Sequence, residues 1–393
     1  MTMRVRPRSV RLFLLLAGPG LATAVLAALP SATRAADEPQ RSACRNPDLN
    51  VVILGSGGPE LNDRRASTSY LLREGDRARF LIDFGTGASA NFEKARAQIA
   101  DLHAILFSHF HVDHTNDLPG LIKASFFSNR TRDLPIYGPT GNQVVPDTRT
   151  FIHRLFGPEG AYSYLSDFLD GEARYRIVPH AVDASLPAAT ASGPSHTPGS
   201  SATPTATRRQ APDTAPESHQ GKPDREGNLE GENKLNSRQI FSQQIGDYTI
   251  RAVGVSHGLL PSLAWRIDKD GCSVVFSGDT SNQKQTLDTL VKDVSLFIAH
   301  NAVPQNSTDR IALRLHMPPS EIGRIAADNG ADALLLSHFM QRTRLMQQET
   351  AKAIRPHFGG SLHFARDGDI YRLQDARLIG NLITPPATPS TAP

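Results

Sequence analysis

Phe107-Ser108-His109-Phe110-His111-Val112-Asp113-His114-Thr115 sets three imidazoles and a carboxylate within six positions, directly after the apolar run Ala104-Ile105-Leu106. In an extended turn His109 and His111 project to one side, and Asp113 and His114 follow into the same cleft. The chain has 14 histidines in 393 residues, so three together beside an aspartate is far from chance spacing. Imidazole and carboxylate at this density suit borderline divalent metals, zinc above all, and an open coordination position is what catalysis needs. The apolar run reads as a strand over 101–108, which puts the cluster at a strand end. A helix is predicted over 118–127, with Pro119 in its first turn, where a missing N–H costs nothing.

Outward from this stretch, short apolar runs at 49–54, 68–72 and 80–82 precede it, the first ending in Gly55-Ser56-Gly57-Gly58-Pro59. Runs at 248–253, 263–267, 273–276, 294–298 and 333–336 follow, with helical spacing over 320–329. Strands interleaved with helices make this an α/β chain, with one domain over 48–375. Within it, 183–237 turns to Pro, Ala, Ser, Thr and Gly, too poor in large apolar residues to offset ordering entropy, and reads as a disordered insertion. The tail 384–393 is Pro/Thr-rich and reads as loose. At the other end, 1–35 has a basic start, an apolar stretch broken by Gly18-Pro19-Gly20 and small residues at Thr33 and Ala35. That pattern predicts a cleaved signal peptide, a periplasmic or secreted protein and no stable membrane insertion afterwards. Collagen, coiled-coil and multi-span classes are excluded. The net charge is +3, but five arginines of the first 35 residues supply it and the remainder is slightly acidic. A slightly acidic body argues against an electrostatic nucleic-acid binder. Cys44 and Cys272 pair in an oxidising compartment, or Cys272 is a buried free thiol; spacing does not choose.

The cluster resembles the metal signature of the metallo-β-lactamase superfamily, His-x-His-x-Asp-His followed by a separate His, a bridging Asp and a final His. His257 in Ser256-His257-Gly258, Asp279 in Ser277-Gly278-Asp279-Thr280 and His338 in Leu336-Ser337-His338-Phe339 match the later positions in order. The resemblance implies a four-layer αββα metallo-β-lactamase sandwich binding two Zn2+ per chain. It further implies a first site of His109, His111 and His257, a second of Asp113, His114 and His338, and Asp279 between them.

Gly55 to Pro59, with Arg65 beyond, resembles the subgroup of ribonuclease Z, class II cyclic-nucleotide phosphodiesterases and related arylsulfatases; for the glycines themselves, a tight turn leaving the first strand is the simpler reading. In that subgroup a His ahead of the penultimate helix is a proposed proton donor, and His316 in Leu315-His316-Met317-Pro318 stands there. With Asp113, which would also orient the attacking hydroxide, it makes up the expected catalytic pair. Arg310, Arg314, Arg342 and Arg344 flank His316 and His338 in sequence and offer guanidinium groups to an oxyanion. Two departures set the chain apart from ribonuclease Z. The substrate-gripping arm belongs between the third-motif His and the bridging Asp, yet His257 and Asp279 are only 22 positions apart, and His300-Asn301-Ala302 replaces a His-Glu-Ala pattern. The expectation is therefore an exported di-zinc hydrolase of a small phosphodiester or aryl sulfate, working through a hydroxide shared by the metals. Its partner would be a small-molecule ester and not nucleic acid, with a homodimer left open. A ribonuclease Z-like endonuclease is the alternative, beside a lactone or β-lactam hydrolase; a non-enzymatic metal-binding scaffold comes last.

Overall fold

Along β1 (Leu49–Gly55) every residue is buried, because the strand has a core on each face: Val51 and Ile53 enter one apolar cluster, Val52 and Leu54 another. The alternation continues in β2 (Ser69–Glu74), β3 (Arg77–Ile82) and β4 (Ala104–Leu106). Tyr70, Leu72, Phe80 and Leu106 face the first cluster, and Leu71, Leu81 and Ile105 the second. Burial on both faces is why these strands read as unbroken apolar runs. A computed structural model describes residues 43–185 and 240–383.

With β5 (Leu134–Pro139), β6 (Ile177–Val182), β14 (Asp369–Arg372) and β15 (Leu378–Asn381) these strands form an eight-stranded mixed sheet, ordered β15-β14-β1-β2-β3-β4-β5-β6. The facing sheet contains β7 (Phe241–Ile245), β8 (Tyr248–His257), β9 (Leu260–Lys269), β10 (Cys272–Phe276), β11 (Leu296–His300), β12 (Ala333–Ser337) and β13 (Ser361–Phe364), in the order β13-β12-β11-β10-β9-β8-β7. Both sheets contribute to the first cluster. The helices Leu118–Ser125 and Thr148–Phe156 pack Leu121, Ile122, Ile152 and Phe156 on the outer face of the first sheet; Pro319–Asp328 packs Ile322 and Ile325 against the second. This is the expected α/β metallo-β-lactamase sandwich.

Boundaries differ where side chains intervene. Instead of a strand over 101–108 there is a 3-10 turn at Ile99–Asp101 and a three-residue β4. The buried Arg130 guanidinium donates to the Ile99 and Leu102 carbonyls at 2.7 and 2.8 Å, so those acceptors are taken before the ladder begins. The first sheet runs to Asn381, past 375. Asp183–Ser185 are ordered: Ala184 is buried, its N–H donating to Thr140 Oγ1. The remainder of the expected insertion (186–237), the signal 1–35 and the tail 384–393 lie outside the described residues. Among the described residues no helix is long and apolar enough to cross a membrane.

Cys44 and Cys272 are joined as a disulfide across 228 positions of sequence, which settles the alternative left open above. Nearby, Glu74 at the end of β2 accepts from Asn46 and from Tyr248 of β8 and pairs with Lys269 of β9 at 2.5 Å, tying one sheet to the other. Burial alone would raise the Glu74 carboxyl, but Lys269, Asn46 and Tyr248 hold it at about 2. The bridge closes a long loop in the unfolded chain, so Cys272→Ser is expected to cost about 2–5 kcal/mol, read as a fall in Tm. A Tm indifferent to both reductant and substitution would contradict the pairing. For Glu74 the folded value lies below the unfolded value of about 4.3, so its stabilisation is present above that pH and is lost as pH falls toward 2. Glu74→Gln should flatten that part of an acid-denaturation curve; an unchanged acid limb would remove Glu74 from the account.

Candidate metal centre

The functional side chains sit just past the carboxyl ends of strands in both sheets. β4 leads into His109, His111, Asp113 and His114; β8 ends in His257; Asp279 lies three residues beyond β10; His338 follows β12 directly. Since β10, β11 and β12 run parallel, their carboxyl ends lie side by side. Two backbone features let the chain turn inward there. Gly278 has φ +57, and a Cβ on it would meet the Leu263 carbonyl and Ser108 at 2.9 Å. His338 holds φ +56, a left-handed conformation costing a non-glycine residue about 1–2 kcal/mol, and the Phe339 N–H to Ser56 carbonyl bond of 2.9 Å pins the turn.

The ligand-type atoms of His109, His111, His257 and Asp279 lie within 4.8 Å of one another, as do those of Asp113, His114 and His338. Asp279 stands between the groups, its Oδ2 3.6 Å from both His257 Nε2 and His114 Nε2, its Oδ1 3.3 Å from His338 Nε2. His338 Nε2 is also 3.4 Å from Asp113 Oδ2. A tetrahedral cation with bonds of about 2.1 Å sets its donors about 3.4 Å apart, so the set fits metal ligation. The hydrogen-bond census agrees. His114 Nε2 and both ring nitrogens of His338 are buried with no hydrogen-bond partner, a costly state that a cation would relieve.

Electrostatics divide the cluster. Burial pushes His109, His111 and His257 below the ordinary imidazole range, leaving neutral rings with lone pairs to offer. Burial pulls on His114 and His338 too, but the carboxylates around them win: Asp113, Asp83 and Asp279 lift His114, and Asp279 with Asp113 lifts His338. For Asp113, burial would raise the carboxyl, yet His114 and His338 hold it at about 2. Asp279, buried among imidazoles, is held well below the carboxylate range against the effect of burial by His338, His316 and His114. A cation held by Asp113, His114 and His338 would compete with protons for these two rings.

His316 caps the helix Arg310–Leu315 and is buried at the same cluster, its Nδ1 3.9 Å from Asp279 Oδ1 and without a hydrogen-bond partner. Burial lowers it to about 3. Of the four arginines, Arg342 donates to the Ala302 carbonyl at 2.7 Å and pairs with Asp309, Arg344 is half-buried with its Nε unpartnered, and Arg310 and Arg314 are exposed. Asn301, where the resembling pattern has Glu, is buried with its Oδ1 unpartnered and gives His316 no carboxylate.

Sequence reasoning missed two supporting residues. Asp83, after β3, accepts from the Ser108 N–H and hydroxyl and from His114 Nδ1, each at 2.7 Å. The last bond fixes the His114 tautomer, so that Nε2 turns its lone pair into the cluster. A lone acidic residue ending an apolar strand was the only signal. His300, noted solely as part of a departing pattern, bonds Asp279 Oδ1 through Nδ1 at 2.7 Å.

A sequence profile of the metallo-β-lactamase superfamily matches residues 62–214. A ribonuclease Z of Mycobacterium bovis is 26% identical over 332 residues, covering 81% of this chain and 96% of that protein. Among solved structures, the metallo-β-lactamase fold protein YhfI of Bacillus subtilis (TM-score 0.53) and the short form of human tRNase Z (TM-score 0.54) are each 19% identical, covering 82% of this chain and 99% of theirs. These shares establish a common fold.

The match to ribonuclease Z along nearly its whole length overturns two expectations: a small phosphodiester or aryl sulfate as substrate, and a chain with no nucleic-acid partner. The first leaned on a missing arm, which removes only one means of gripping a substrate. The second leaned on net charge, a sum over the chain that says nothing of the potential over one cleft. With fold, profile and similarity over 96% of ribonuclease Z in agreement, the chain is a metal-dependent hydrolase with the metallo-β-lactamase fold, matches that superfamily's profile over 62–214 and resembles its ribonuclease Z group.

Proposed function

We propose that this chain is a ribonuclease Z-like endonuclease, a di-zinc enzyme that hydrolyses an RNA phosphodiester. The observation that carries the reading is the similarity to ribonuclease Z over 96% of that protein's length, in a chain whose seven metal-type side chains meet at one cluster. His109, His111 and His257 would hold one cation, Asp113, His114 and His338 the other, with Asp279 shared. Bound there, divalent cations supply Lewis-acid stabilisation of developing charge and lower the pKa of the attacking water. Asp83 and His300 orient the ligand rings and carboxylate. His316, neutral when the cleft is empty of substrate, gains proton affinity beside an anionic phosphodiester and then serves as donor to the leaving oxygen. The β8–β9 hairpin closes directly after His257, so no arm rises there. In its place Arg310 and Arg314, exposed on the helix that ends at His316, are the candidates for holding flanking phosphates. For localisation we propose export to an oxidising compartment, supported by the pattern of residues 1–35 and by the Cys44–Cys272 bridge.

The direct test is a tRNA transcript with a 3′ extension, incubated with purified protein. Cleavage abolished by chelator and restored by zinc is the expected result; hydrolysis of bis-p-nitrophenyl phosphate with no cleavage of any RNA would reject the nuclease reading. Asp279→Ala should lose at least one metal equivalent and nearly all turnover, and Asp83→Asn should weaken zinc binding by about 10–100-fold. Full occupancy in either variant, measured by metal analysis after dialysis, would remove that residue from its role. His316→Ala should keep both metals yet lose about 10²–10⁴-fold in turnover; an undiminished rate would send the search for the donor elsewhere.

A further inference from the structure

We infer that Tyr70 and His300 form a positioning pair that selects one ring tautomer, orients the Asp279 carboxylate and thereby sets the affinity of the centre for its cations. The inference rests on the metal-centre reading above. His300 closes β11 in one sheet and Tyr70 lies in β2 of the other; both are fully buried. The Tyr70 hydroxyl stands 2.9 Å from His300 Nε2, and His300 Nδ1 stands 2.7 Å from Asp279 Oδ1.

Hydrogen-bond bookkeeping decides the direction of this chain. An ionised carboxylate only accepts, so Nδ1 must carry the proton of the neutral ring. Nε2 is then an acceptor, and the Tyr70 hydroxyl, which can give or take, donates to it. With the opposite tautomer a lone pair on Nδ1 would face the carboxylate at 2.7 Å, and Asp279 would have to rotate away. Held as it is, Asp279 turns Oδ2 toward His109, His114 and His257, at 3.9, 3.6 and 3.6 Å. The His300 ring also lies against His338, centroids 4.8 Å apart and planes inclined by 26°, so its setting bears on both groups of ligands. Tyr70 touches none of the expected reacting atoms; it acts through His300.

Three measurements test the pair. Tyr70→Phe removes only the hydroxyl, and zinc affinity, read by competition with a chromogenic chelator, is expected to fall about 10–100-fold while the metal-free Tm stays near that of the parent. His300→Asn supplies an amide N–H to Asp279 with no tautomer to choose, so adding Tyr70→Phe in that background is expected to cause no further loss. In metal-free parent protein, nitrogen-15 spectra of the histidine rings should show the Nδ1–H form at His300, a readout that needs no variant to fold. Parental affinity in a folded Tyr70→Phe, losses that simply add in the double variant, or an Nε2–H ring would each overturn the inference. A parent that binds no zinc would fail the metal-centre reading itself, and this inference with it.

Discussion

Asp279 is a carboxylate 2% exposed, surrounded by imidazoles from five other segments of chain. An ionised carboxylate taken out of water costs several kcal/mol unless opposite charge and hydrogen-bond donors surround it. The fold meets this condition by aligning strand ends. β8, β10, β11 and β12 deliver His257, Asp279, His300 and His338 to one edge of one sheet, while β4 brings His109 to His114 from the other. The left-handed turn at His338 is backbone strain accepted to complete that ring of partners.

How much of this can be read from sequence depends on the distance over which a residue's meaning is settled. His109, His111, Asp113 and His114 are legible because their spacing already brings them together. His257, Asp279 and His338 gain meaning only as an ordered set, since each alone is an ordinary polar residue at a strand end. Asp83 gives only the faint signal of an acidic residue ending an apolar strand, and Tyr70 gives none: their partners, His114 and His300, lie 31 and 230 positions away. Strands with a core on both faces announce themselves as apolar runs, whereas β6, half-buried along most of its length, does not. β4 is shorter than its apolar run because Arg130, 28 positions from Leu102, occupies carbonyls before it and Asp83 takes the Ser108 N–H after it. Substrate class was misjudged for a different reason, since it is decided by the surface over the cleft and not by whole-chain charge.

The two sheets are held together in several ways at once. Tyr248 and Lys269 meet Glu74 at one end of the interface, Trp265 Nε1 donates to the Phe107 carbonyl at 3.0 Å in the middle, and Tyr70 bonds His300 beside the centre. Each of these contacts crosses between residues from the two described stretches of chain. The metal-type cluster does the same, so neither stretch contains a complete centre.

That division gives the Cys44–Cys272 bridge a role in the chain's response to proteolysis. One cysteine lies before residue 186 and the other after residue 239. A single peptide-bond cut between residues 186 and 239 would produce two polypeptides, one carrying His109 to His114 and the other His257, Asp279 and His338. The disulfide would keep them one covalent molecule, migrating as a single species until reductant is added. Covalent continuity through sulfur would thus replace continuity through the backbone, and the centre would remain an intramolecular assembly, independent of protein concentration.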